Sequence, residues 1–385
     1  MLKRVLSTVF AICIVLSLFS GCGTKDVDVD IYAMRSNLTA EKVAKEMGIG
    51  MNLGNTFEAY WNDDSNMCGF AKVVGDGKAT DYEGCWGAIT TTREIIDGMR
   101  DSGFKTVRIP VFWGNGMVDD GTFTINEDVI NRVEEVVNWV LEDGMYCVIN
   151  MHHYDERLIM FLDRKDAVNA ANRVWTQVAE HFKDYGDHLI FEGYNEYLGG
   201  IKEGSSFDDN FKFDYCNEMN QTFVDAVRAT GGNNAERILI ASGYNTNIDK
   251  TTSVRFKMPT DTVENKMMVS VHYIDNATYW MNQIGGEYWH DYAKSQCELL
   301  KAAFTDKGIP VFVGETTTSY NGRMVGNAEY GSSEDCIEEL IKMAIKEYGF
   351  VPVFWDIHQD GAFYSRTELC IPNEQNANTV RKYGK

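Results

Sequence analysis

Proline is scarce in this chain, five residues in 385. A second module on a Pro-rich linker is therefore not expected, and no internal repeat or second composition zone divides the sequence. Cations are also in deficit: 36 Lys and Arg face 57 Asp and Glu, a formal charge of -21. Nucleic-acid binding needs a cationic excess to displace counterions, so that class of partner is excluded. The acidity otherwise reads as a solvated surface, to which a neutral substrate is indifferent. No Cys-x-x-Cys and no His-Glu-x-x-His occurs. Neither a zinc site nor any other metal or cofactor is expected. No Gly-x-Gly-x-x-Gly follows the first strand candidate, which argues against a doubly wound open sheet.

What is present begins with a leader. Met1-Leu2-Lys3-Arg4 is a basic start, and Val9 to Phe19 is apolar except for Ser17. Ser20-Gly21-Cys22 adds small residues before a cysteine. This is a secretory signal. Its end resembles the bacterial lipoprotein box, in which Cys22 becomes the lipidated first residue; the alternative is an ordinary signal peptide cut nearby. The expected organisation is a signal over 1–21, a polar tether over 22–37 and one catalytic domain over 38–385. The mature protein would be secreted or on the cell surface, meeting a membrane only through its lipid anchor, and monomeric. Without residues 1–21 the charge is 34 minus 57, or -23. Of nine cysteines, Cys13 and Cys22 belong to the leader, which leaves an odd seven. Cys147 reads as core, and Cys68 and Cys85, in one Gly-rich loop, are the best disulfide candidates.

From Gly48 onward, apolar strand candidates alternate with amphipathic helices. The strands read as Gly48–Asn55, Phe104–Pro110, Met145–Met151, Leu189–Gly193, Arg237–Ala241, Met267–Val271, Pro310–Gly314 and Phe350–Trp355. Helical spacing covers Thr91–Asp101, Asn126–Asp143, Ala167–Asp184, Phe211–Thr230, Asp291–Asp306 and Ser333–Tyr348. Asp249–Lys266, between the fifth and sixth strands, carries little apolar periodicity. Such alternation predicts an α/β fold with a parallel sheet, and eight units predict a closed (β/α)8, or TIM, barrel with long βα loops.

In such a barrel the site forms where strands end. Leu189-Ile190-Phe191-Glu192-Gly193-Tyr194-Asn195-Glu196 is an apolar strand running into an amide and an acid. Ile309-Pro310-Val311-Phe312-Val313-Gly314-Glu315 likewise ends on an acid. Two carboxyls delivered in this way suit glycoside hydrolysis. The other strand ends supply Asn52, Asn55 and Glu58 (first), Arg108 (second), His152 and His153 (third), His272 and Tyr273 (sixth) and Trp355 (eighth). Arg108 can also be a structural ion pair, and a metal site is the rival reading of His152 and His153. Trp61, Trp86, Trp113, Trp280 and Trp289 fall in loops, where they either stack on sugars or pin the loops. Trp139 and Trp175 fall inside helical periodicity.

With these motifs in view, Gly48 to about Trp355 resembles a family 5 glycoside hydrolase of cellulase type, and Gly50-Met51-Asn52-Leu53-Gly54-Asn55-Thr56 is similar to that family's opening strand. The resemblance implies Glu196 as acid/base and Glu315 as nucleophile. It implies Arg108 beside the nucleophile, His152 near the sugar, His272 supporting the acid/base and Trp355 under the ring. Three positions depart from the pattern: Tyr197 stands for Pro, Thr316 for an aromatic, and Ile274 for the Tyr that contacts the nucleophile. Tyr273, Tyr244 or Tyr320 can replace that Tyr. By charge, Arg108 is expected to favour ionised Glu315, and burial or Glu315 itself to raise Glu196. The implied function is a retaining endo-β-1,4-glucanase with a polysaccharide partner. The alternatives are mannan, xyloglucan, mixed-linkage glucan or xylan as substrate, or a sugar-binding surface lipoprotein without turnover.

Overall fold

The computed structural model describes residues 30–61, 73–118, 120–200, 209–275, 289–320 and 332–384. The leader expected over residues 1–21, Cys22, Cys68 and Trp280 lie outside the described residues. Eight strands pair in chain order into a closed barrel, all in parallel: β1 (Gly50–Asn52), β2 (Thr106–Ile109), β3 (Tyr146–Asn150), β4 (Leu189–Glu192), β5 (Leu239–Ser242), β6 (Met267–His272), β7 (Val311–Thr316) and β8 (Val351–Phe354). The helices are α1 (Ala40–Met47), α2 (Ala79–Glu83), α3 (Arg93–Ser102), α4 (Glu127–Glu142), α5 (Tyr154–Phe161), α6 (Arg164–His181), α7 (Asp209–Ala229), α8 (Ile248–Thr251), α9 (Trp289–Ala303), α10 (Ser333–Lys342) and α11 (Glu374–Tyr383). None of the described helices is long and apolar enough to cross a membrane.

Local chemistry explains the elements. In α4 the Asn126 side chain accepts from the Asp128 and Val129 amides, and Val129, Val133, Val136, Val137 and Val140 form its buried stripe. On the strands, alternate residues face opposite ways. Cys147, Ile149, Leu189, Phe191, Val311 and Val313 join the core between strands and helices. Tyr146, Val148, Ile190, Ile240, Met268, Phe312, Val351 and Val353 join a second core with Val43, Ala44 and Met47 of α1. That second core is the barrel interior, and α1 packs into it.

Several sequence expectations need correction. Residues 31–37 are no free tether: Gly186 donates to Ile31 O at 2.8 Å, and Arg35 pairs with the buried Asp187 at 3.0 Å. Helix α5 follows β3 directly and carries little amphipathic spacing, and α2 interrupts the long first loop. Trp113, in the loop after β2 as expected, is buried and pins that loop, its indole N–H donating to Asn150 O at 2.9 Å, whereas Trp289, also buried, opens α9 rather than lying in a loop. Trp175 is buried as expected, whereas Trp139 is partly exposed. Between β5 and β6 only the four-residue α8 forms regular α-helix, as the weak periodicity there suggested.

Candidate active site

Above the apolar layers of the barrel interior lies a polar one. Arg108 of β2 is fully buried, and its Nε donates to Glu192 of β4 at 2.6 Å. Its other nitrogens donate to Asn52 Oδ1 at 3.0 Å, Asn195 Oδ1 at 2.9 Å and Glu315 Oε1 at 3.5 Å. Ser270 of β6 donates to the second Glu192 oxygen at 2.6 Å, and Asn52 donates to Gly314 O and Phe354 O. Burial disfavours the Arg108 charge, but Glu192 and Glu315 outweigh that and raise its pKa. Arg108 is thus both the structural ion pair and the neighbour of Glu315. Glu192 escaped the sequence reading, although a carboxylate inside an apolar strand signals a buried partner.

Glu196, His272 and Glu315 meet at the mouth. His272 Nδ1 lies 2.9 Å from Glu196 Oε1 and 3.6 Å from Glu315 Oε2. One carboxylate oxygen of each acid and a ring nitrogen of His272 all fall within 4.8 Å of one another. Backbone irregularity creates this convergence. The β6–β7 ladder slips after Val271, so His272 pairs with Glu315, and the β7–β8 ladder slips after Val313. Gly314 at the slip allows close approach, because a Cβ there would sit 3.0 Å from His272 Nε2. Tyr273 follows with φ 46°, and its hydroxyl donates to Glu315 Oε2 at 3.0 Å.

This resolves the missing tyrosine. Ile274 is core, Tyr244 packs on Phe213, and Tyr320 donates to Asp275 at 2.6 Å, which leaves Tyr273 on the nucleophile candidate. Tyr197, the other large departure, is fully buried, with its ring against Tyr194.

The remaining expected residues divide. Asn195 accepts from Arg108 with its carbonyl, and its backbone N–H donates to the buried Asp155 at 2.7 Å. This bond aims Asn195, and Asp155 was missed because α5 was. His152 is buried and kept neutral mainly by desolvation; its ring stacks on half-buried Trp355 at 5.8 Å. His153 is correctly on the third strand's loop, but it turns to Glu156, 3.7 Å away, and to the Trp86 ring. Burial opposes its charge, yet Glu156 and Glu58 raise its pKa. Glu58 does not face a substrate: it is fully buried, and both its oxygens accept backbone N–H groups, from Asn55 and Thr56. Asn55, at φ 56°, forms part of that turn.

The electrostatics also differ from expectation. Burial pushes Glu315 above the usual carboxylate range, against the pull of His272 and Arg108. Burial acts upward on Glu196 too, but the His272 hydrogen bond and charge outweigh it and hold Glu196 low. His272 stands between the two acids. The contact at 2.9 Å serves either state, His272 donating to a carboxylate or a protonated Glu196 donating to Nδ1. Exposure separates the acids more sharply: the Glu196 side chain is 38% exposed and that of Glu315 8%. This trio is also the one grouping of three metal-type donors among the described residues. A cation there would face the Arg108 charge and displace the Tyr273 bond.

A parallel eight-stranded barrel with two carboxyls facing each other across its mouth defines a (β/α)8 glycoside hydrolase. The family description "Cellulase (glycosyl hydrolase family 5)" matches residues 66–361, and the chain belongs to glycoside hydrolase family 5. Endoglucanase A of Paenibacillus barcinonensis is 34% identical over 94% of this chain and 93% of that protein. A broad-specificity endoglucanase of Ruminococcus champanellensis, solved with bound cellotriose, superposes with TM-score 0.75 at 31% identity, over 90% of this chain and 99% of that one. A Bacteroides ovatus xyloglucanase in complex with a heptasaccharide superposes with TM-score 0.79 at 27% identity, over 92% and 78%.

Tyr273→Phe is expected to lower turnover about tenfold, the effect of one transition-state hydrogen bond of about 1.4 kcal/mol. Tyr244→Phe, whose ring only packs, is expected to leave turnover unchanged. Steady-state kinetics of both variants checks the assignment, and equal activities would remove Tyr273 from the mechanism.

Proposed function

We propose that this enzyme is a retaining endo-β-1,4-glucanase, with Glu315 as nucleophile and Glu196 as acid/base. One observation carries the reading: an oxygen of Glu196 and an oxygen of Glu315 lie within 4.8 Å of each other, with His272 between them, which puts the carboxyls on the short side. Direct attack goes with carboxyls about 5–5.5 Å apart, whereas an interposed water needs about 6.5–9.5 Å. Glu315 is the buried acid, met by donors from Tyr273 and Arg108 that stabilise the attacking charge. Glu196 is the exposed acid, which can regain a proton from water after each turnover. Asn195, its carbonyl taken by Arg108, offers its amide N–H to the sugar 2-hydroxyl. As Glu315 forms the glycosyl ester, the glycosidic bond breaks and Glu196 gives its proton to the leaving oxygen; the Glu196 carboxylate then takes a proton from the water that hydrolyses the ester. The likeness to endoglucanases supports this reading, and the likeness to a xyloglucanase supports a second one, a substituted glucan.

Hydrolysis of a panel of soluble glycans tests this, with NMR of the first-formed reducing end. Fastest cleavage of β-1,4-glucan backbones with a β-anomer appearing first is expected. An α-anomer would overturn the role of Glu315, and preferential cleavage of mannan or xylan would overturn the substrate.

A further inference from the structure

β5 delivers no acid, base or ring to the barrel mouth, but the loop that follows it reaches Glu196. The hydroxyl of the buried Thr246 donates to Glu196 Oε1 at 3.4 Å. His272 Nδ1 meets the same oxygen at 2.9 Å, so both side-chain contacts of Glu196 among the described residues fall on Oε1. The Thr246 bond is long, as catalytic hydrogen bonds often are before substrate binds.

The backbone is bent to make this contact. Asn245 and Thr246 both take left-handed conformations, at φ 47° and φ 49°. Asn tolerates that region, whereas a β-branched residue in it is an outlier, because its Cβ crowds the following carbonyl. The turn is held from both sides. Gly243 N–H donates to Ser270 O at 2.8 Å, which continues the β5–β6 ladder, and Asn247 caps α8 by accepting from the Lys250 amide at 3.0 Å. A turn that merely joined β5 to α8 would take Gly or Asn at position 246 with less strain. Strain of this kind gathers at functional sites, where the surroundings over-determine the backbone. β5 also grips the chain just before the acid: Ser242 Oγ accepts the Tyr194 N–H at 2.8 Å and donates to Tyr194 O.

A general acid becomes negative as it gives up its proton. A hydroxyl aimed at it favours the ionised form, and Thr246 acts with His272 in that direction, against burial. A donor on Oε1 also favours the state in which His272 donates to that oxygen, so the transferable proton is carried by Oε2. We infer that Thr246 is a positioning residue whose hydroxyl fixes Oε1 of Glu196, turning Oε2 to the glycosidic oxygen and stabilising the charge that develops on the acid. This rests on the reading of Glu196 as acid/base and deepens it.

Thr246→Val keeps the β-branching and with it the strain, so it isolates the hydroxyl. Its kcat/KM on cellohexaose is expected to fall by about fivefold to tenfold, the effect of one lost hydrogen bond. On dinitrophenyl β-cellobioside, whose leaving group needs little protonation, kcat/KM is expected to stay unchanged. Thr246→Ser, which restores the hydroxyl, is expected to recover the rate on cellohexaose. In Thr246→Val the alkaline limb of the kcat/KM profile, where Glu196 must hold its proton, is expected to move to higher pH, because the lost donor favoured the ionised form. His272 from β6, Glu315 from β7 and His153 beyond β3 act on Glu196 in both proteins, so the difference reports the hydroxyl. Equal losses on the two substrates, or no loss on cellohexaose, overturn the role. In a Glu196→Ala background Thr246→Val is expected to cost nothing further, and a full additional loss would show that Thr246 acts elsewhere. If Glu196→Ala alone lost rate equally on both substrates, the acid/base reading would fall, and the double variant would still decide whether Thr246 acts through Glu196.

Discussion

Glu315→Gln is expected to reduce turnover by a factor on the order of 10⁴ or more, because an amide cannot form the glycosyl ester. The substitution keeps the shape of the side chain and leaves an acceptor for the Tyr273 hydroxyl, so the protein should fold as the wild type does. Glu196→Ala acts on a different step. It removes the proposed proton donor, worth about 10²–10⁴ in rate on substrates with poor leaving groups. Aryl glycosides with acidic leaving groups need little protonation and should keep a much larger share of their rate. Comparing both variants on a polysaccharide and on an activated aryl glycoside checks the assignment. If Glu315→Gln were the one rescued by the good leaving group, the two roles would have to be exchanged.

Arg108→Met should be the most destabilising single change in the site. It leaves Glu192, which is fully buried, with Ser270 as its remaining side-chain donor and no countercharge. Removing one partner of a buried pair costs about 3–5 kcal/mol, more than the pair itself contributes over a well-packed apolar replacement. Denaturant unfolding should show a loss of that size. Turnover should fall as well, since Asn195 loses the bond that orients its carbonyl and Glu315 loses its nearest fixed cation. The double variant Arg108→Met with Glu192→Gln should regain part of the stability but none of the turnover. Such a result separates the structural part of the ion pair from its effect on the acids. A single variant as stable as the wild type would show that the Arg108–Glu192 pair does not hold the barrel mouth together.

The sequence by itself determined the architecture. Strands buried on both faces read as continuous apolar runs, and an apolar run is visible without knowing its neighbours. Glu196 and Glu315 were legible for the same reason, since an acid at the end of such a run stands out against it. Helix α5 was not legible, because a short helix in the loop after β3, with mixed polar and apolar residues, carries no clear period. The partners of the acids belonged to tertiary structure alone. Tyr273 reaches Glu315 through a slip in the β6–β7 ladder and a left-handed backbone at φ 46°, and neither leaves a spacing signal. Glu58 had the residue type of a binding acid, but only the fold of its turn shows both oxygens bound to backbone amides. The order of the acids' proton affinities was likewise undecided until His272 was placed between them. Charge, burial and hydrogen bonding act over a few ångströms, and those distances are set between strands that lie far apart in the chain.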